Sequence, residues 1–84
     1  MSLRIHMKGE YFPNKTEIRQ RIIESKSKWL CKYCDFIELY HTYLFQIAST
    51  MGFDLIRLRF QEFTIIVHRP NTSTWIFDFK PNFK

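Results

Sequence analysis

Cys31-Lys32-Tyr33-Cys34 is the first arrangement in this sequence that could do chemistry. Two thiols at this spacing serve either zinc or redox exchange. A structural zinc site needs four ligands, usually from two such pairs. Here there is one pair, with His6, His41 and His68 elsewhere. A site made of Cys31, Cys34, His41 and His68 has no recognised spacing, so no metal is expected. A redox pair sits at the start of a helix that follows a strand, where the helix dipole lowers the first thiol's pKa. This pair falls between two helical stretches, beside Trp29 and Leu30. Lys28 and Lys32 alone would favour a thiolate. Two reduced, partly buried thiols in a cytoplasmic protein are the expectation.

No other catalytic pattern is present. The sequence has no Gly-rich phosphate loop, no paired acidic motif and no Ser-Gly elbow. Neither an enzyme nor a cofactor is expected, and no catalytic residue is assigned. The concentrated basic feature is Lys15, Arg19, Arg21, Lys26, Lys28 and Lys32. At helical spacing Arg21, Lys28 and Lys32 share one side, and Arg19 and Lys26 another. Such a helix could lie along a phosphate backbone. It lacks the short Gly-containing turn of a helix-turn-helix, so groove reading is not indicated.

The elements that carry these residues follow from periodicity. Leu3 to Lys8 alternates and could form a short strand, closed by Gly9. His6-Met7 is also what a common cloning junction encodes, so residues 1–6 read either as native chain or as a vector-derived leader. Asn14 and Glu17 make a capping-box start. Ile18, Ile22, Ile23, Trp29 and Leu30 then recur at helical spacing, which predicts a helix over 15–31 with a weak stretch at Glu24–Lys28. A second helix starts near Asp35. Its stripe is Phe36, Leu39, Tyr40, Tyr43, Leu44, Ile47, Ala48 and Met51, and Gly52 takes the left-handed cap. The period then changes from helical to two. Residues 53–60, 62–69 and 74–80 read as strands, joined by Gln61-Glu62 (a wider turn or bulge) and by Pro70–Ser73.

Alternation assigns Ile56, Leu58, Phe60, Phe63, Ile65, Val67, Trp75, Phe77 and Phe79 to one face of the sheet. Arg57, Arg59, Thr64, Ile66, His68, Ile76, Asp78 and Lys80 fall on the other. Readers of single-stranded RNA place aromatic rings and cations together. Here the two lie on opposite faces, which argues against base stacking. The second helix also carries Ile37, His41 and Phe45 as a further line beyond its core stripe. Exposed apolar patches on small proteins mark contacts. Ile37, His41 and Phe45, with Ile66 and Ile76 on the open sheet face, are therefore the candidate partner-binding residues. On this basis, replacing Ile37 and Phe45 by Asp should abolish association while leaving the fold intact.

The run from the second helix through the meander resembles the C-terminal half of roadblock-type dynein light chains. The likeness lies in element order and in Leu58-Arg59 followed by Phe63-Thr64-Ile65-Ile66-Val67. It covers about half the chain without a diagnostic motif, and one expected pair of strands before the long helix is not evident. No residue or activity is carried over.

Nine Phe, four Tyr and two Trp in 84 residues supply enough large side chains to hold a short chain without disulfides. No apolar run approaches the roughly 20 residues of a membrane span, so no membrane association is expected. The net charge of +5 permits a polyanionic partner. The sequence thus predicts a single α+β domain over 1–84. Two N-terminal helices would pack on one face of a three-stranded antiparallel meander, with the short N-terminal strand as an optional addition. The expected role is that of a non-catalytic cytoplasmic binding module, acting on an unidentified protein or on itself as a homodimer. The alternative is a nucleic-acid-binding accessory protein that uses Arg19, Arg21, Lys26, Lys28 and Lys32.

Overall fold

The structure, a computed structural model, describes residues 2–50, 52 and 54–82. The fold is α+β. The chain divides into two compact units, one of Met1–Tyr11 with Phe53–Lys84, the other of Phe12–Gly52.

The first unit is a four-stranded antiparallel sheet. Its strands are β1 (Leu3–Lys8), β2 (Leu55–Arg59), β3 (Phe63–Asn71) and β4 (Thr74–Pro81), in the order β1-β4-β3-β2. The N-terminal strand is present, so the sheet has four strands where the meander alone gives three. β1 runs in register along β4, from Leu3 opposite Phe79 to Lys8 opposite Thr74. Its Ile5 and Met7 are buried together with Ile56, Phe63, Ile65, Val67, Trp75, Phe77 and Phe79. Alternation therefore picked the apolar face, because side chains two apart on a strand share a side. Leu58 and Phe60 are half-buried, since they belong to the outermost strand and its exit.

Both turns differ from expectation. Gln61-Glu62 was the expected wide turn, yet it closes directly: the Phe60 N–H donates to the Phe63 carbonyl at 2.8 Å. Asn82 holds that turn from outside. It donates through Nδ2 to the Phe60 carbonyl (2.6 Å) and through its backbone N–H to the Glu62 carbonyl (2.9 Å). The irregularity falls instead between His68 and Asn71, where the β3–β4 register shifts. Pro70 lies inside that interval and has no N–H to offer a ladder.

Among its described residues the second unit contains three helical segments rather than two: α1 (Lys15–Glu24), α2 (Lys28–Cys31) and α3 (Cys34–Thr50). Asn14 caps α1 by accepting from the Glu17 N–H at 2.8 Å. The helix expected over 15–31 ends at Glu24. There the Ser25 hydroxyl donates back to the Ile22 carbonyl at 2.6 Å, and Lys26 takes a left-handed φ of +59. A non-Gly residue in that region cannot continue a right-handed helix. Beyond α3, Gly52 has φ +63, the left-handed conformation that glycine adopts without a Cβ penalty. Met51 of the expected stripe and Phe53 of the expected strand lie outside the described residues.

The stripe read for the long helix is only partly inside. Leu44 and Ala48 are buried, and Tyr40 and Ile47 half-buried, but Phe36, Leu39 and Tyr43 are exposed. Ile37 and Cys34 are buried instead. α3 is apolar over most of its circumference, so periodicity leaves the buried arc open to a rotation of one residue.

Candidate binding surface

Antiparallel register places directly opposed side chains on the same face. On the open face it aligns Arg4, Asp78, Ile66 and Arg57 in one row. His6, Ile76, His68 and Leu55 form the next row, and Lys80, Thr64 and Arg59 lie on the far side of the first. Lys8 opposes Thr74 at the end of β1. Five Lys/Arg residues thus share a face with one acid.

That acid is already engaged. Asp78 is 8% exposed, and Arg4 grips both its oxygens, Nε to Oδ1 at 2.7 Å and Nη2 to Oδ2 at 3.1 Å. The hydrogen bond to Asp78, then its charge, pushes the Arg4 pKa up. Lys8, Arg57, Arg59 and Lys80 have no acidic partner among the described residues. Ile66 and Ile76 sit half-buried in the middle of this frame. Arg69 belongs elsewhere: its guanidinium stacks 4.6 Å from the Trp75 ring and donates to the carbonyls of Glu10 and Thr72 at 3.0 Å each.

The basic helix is less free than its sequence implied. Arg19 donates to Glu38 at 3.0 Å and to Asp35 at 3.1 Å, and these hydrogen bonds push its pKa up. Asp35 and Glu38 lie one turn apart on α3, so one arginine reaches both. Arg21, Lys26, Lys28 and Lys32 are exposed. The Lys32 ammonium lies 5.1 Å from the Tyr33 ring.

The candidate partner residues divide between two roles. Ile37 is 5% exposed and lines the cleft between α1 and α3 with Ile18, Ile22 and Cys34. His41 is half-buried and donates from Nε2 to the Pro13 carbonyl at 2.7 Å. A carbonyl can only accept, so that nitrogen carries the proton. Phe45 is exposed, with its ring edge-on to Phe12 at 6.2 Å. Ile37 and His41 therefore build the helical unit, while Ile66 and Ile76 remain presented. Sequence reasoning passed over Arg4, His6, Lys8 and Leu55 as surface residues. The available signal was the alternation of residues 3–8, which places three cations or histidines on one side of β1.

The two cysteines are separated by environment. Cys31 ends α2 and is exposed, and Cys34 opens α3 and is buried. Burial, above all, pushes the Cys34 thiol up, reinforced by Cys31, Asp35 and Glu38 and opposed by Arg19. A buried neutral thiol is a poor nucleophile. Iodoacetamide at neutral pH is expected to modify Cys31 and spare Cys34 in the folded protein, read by peptide mass spectrometry. Equal labelling of both would contradict this burial. Because the folded pKa of Cys34 lies above its unfolded value, its contribution to stability is full below the ordinary thiol range. That contribution declines as pH rises through that range.

Among the described residues, no group of three or more His, Cys, Asp or Glu side chains could hold a metal ion. No described helix is long and apolar enough to cross a membrane. No protein-family model, curated protein sequence or solved structure matches the chain.

Proposed function

We propose that this protein is a non-catalytic binding module whose working surface is the open face of the sheet, and that its partner is an acidic segment of another protein. The supporting observation is the pattern of that face. Lys8, Arg57, Arg59 and Lys80 frame an aliphatic centre of Ile66 and Ile76, and the only acid there is neutralised by Arg4. An apolar centre with a charged rim and arginines is the anatomy of a protein interface. A platform for single-stranded nucleic acid would place large aromatic rings among the cations, and the described residues of this face include no Phe, Tyr or Trp, its rings being the imidazoles of His6 and His68.

Contact with a nucleic-acid backbone through Arg21, Lys26, Lys28 and Lys32 is the second reading. It is favoured by their exposure and weakened by the capture of Arg19 in two ion pairs.

Fluorescence anisotropy with labelled poly-glutamate and with a labelled DNA duplex, at about 50 and about 200 mM salt, separates the two readings. Phosphate-driven binding with several contacts weakens by orders of magnitude over that range. The expected result is poly-glutamate binding that is lost in an R57E/R59E/K80E variant and kept in an R21E/K28E/K32E variant. The reverse pattern, with duplex binding lost only in the helix variant, would move the working surface to α1 and α2. Poly-glutamate binding that survives reversal of the sheet cations would overturn the proposal.

A further inference from the structure

The edge of β2 gives this surface a more specific reading. Among the described residues, β2 is the last strand in the sheet and is paired only with β3. The Phe60 N–H donates to Phe63, and the Asp54 carbonyl accepts from the Arg69 N–H at 2.9 Å, both toward β3. In an antiparallel ladder the backbone polar groups of alternate residues point to the same side. Ile56 and Leu58, lying between Asp54 and Phe60 in the same phase, therefore also turn their N–H and C=O toward β3. Leu55, Arg57 and Arg59 turn theirs outward, away from the sheet. The same three residues carry the exposed side chains of the strand on the open face, Leu55 being 59% exposed. Each of them thus presents a free backbone donor and acceptor next to a recognisable side chain.

Cations on an edge strand ordinarily guard it against unwanted pairing. That guard is selective. A second copy of β2 laid antiparallel and centred on Arg57 would set arginine against arginine, and like charges directly opposed are destabilising. A strand with acids at the matching positions meets attraction instead. The β1 edge is a poorer acceptor for such a strand, because Arg4 already spends its charge on Asp78.

We infer that the β2 edge accepts an extended acidic segment of a partner protein as a fifth antiparallel strand. Its residues opposite Arg59, Arg57 and Leu55 would be acidic, acidic and apolar. The intervening positions fall on the other side, beside Leu58 and Ile56, and are apolar. Read from its N-terminus, the segment has the pattern acid-apolar-acid-apolar-apolar. Backbone hydrogen bonds supply affinity in this mode and alternate side chains supply selectivity. The inference rests on the proposed function, since it names how the acidic partner is held.

The test uses a fluorescein-labelled peptide containing Glu-Val-Glu-Val-Leu and two backbone-methylated versions. Methyl groups on the two glutamate nitrogens and the leucine nitrogen block the donors that would face β2. Methyl groups on the two valine nitrogens alter only the outer side. Strand addition predicts that the first version binds weaker by roughly tenfold or more, while the second binds as the parent does. An R57E/R59E protein should lose the parent peptide and gain a Lys-Val-Lys-Val-Leu peptide. Equal binding by all three glutamate peptides, or equal loss with both methylation patterns, overturns strand addition. Poly-glutamate binding in the same assay reports on the open face separately. If it persists while the methylation patterns do not differ, the face binds acids without extending the sheet. If it fails while only the first methylated peptide weakens, the edge works and the broader face does not.

Discussion

Replacing Phe79 by alanine is expected to cost about 3–5 kcal/mol, the range for deleting a buried aromatic ring. Phe79 is fully buried, its ring is stacked on Phe77 at 6.4 Å, and it stands between Leu3 of β1 and Ile65 of β3. The ring joins the N-terminal strand to the centre of the sheet, so a cavity there weakens both pairings at once. A chain of this length holds roughly 4–13 kcal/mol in all. The loss is therefore a large part of the whole. Urea unfolding in a Trp29→Phe background, followed by Trp75 fluorescence, reports on the sheet alone. Lys80→Ala, one residue further on the open face, is the control and should stay within about 0.5 kcal/mol of the parent. A Phe79→Ala midpoint as close to the parent as that of the control would refute the core assignment.

The second large effect is a contrast within α3. Ile37→Asp should melt the helical unit, and Leu39→Asp should leave it folded. Ile37 is buried against Ile18 and Ile22; of the cations lining that cleft, Arg19 is already held by Asp35 and Glu38, and Lys15 is exposed. An uncompensated buried charge costs several kcal/mol. Leu39 is 73% exposed, so its replacement should change stability by no more than about 0.5 kcal/mol. Far-UV circular dichroism during thermal unfolding gives both answers. If Leu39→Asp were the damaging change, the buried arc of α3 would be the one periodicity first suggested. The contrast also bears on interface mapping. A loss of binding in an Ile37→Asp protein would reflect lost structure, so Ile66 and Ile76 are the apolar positions to vary.

Some of this was legible in the sequence because it depends on local rules. Strand alternation is set by the pleat, so residues 3–8, 63–67 and 75–79 declared their faces without help from the rest of the chain. The α1 cap was legible for the same reason, since Asn14 and Glu17 meet through a bond spanning three residues. The basic character of the open face, with the described Phe and Trp residues of the strands turned to the other side, followed directly from alternation.

Other features were decided only by tertiary structure. α3 is apolar nearly all round, and which arc is buried depends on where α1 lies. Ile18 and Ile22 take Ile37 and leave Leu39 in water. Arg19 looked like a free cation because its partners, Asp35 and Glu38, are on another helix. Asp78 looked like a surface acid until β1, more than seventy residues earlier in the chain, brought Arg4 against it. The same long-range pairing order leaves β2 as the edge, and that is what turns Arg57 and Arg59 from solubilising charges into candidates for recognition. Local periodicity fixes which way a side chain points, whereas what it meets is fixed by contacts between segments far apart in sequence.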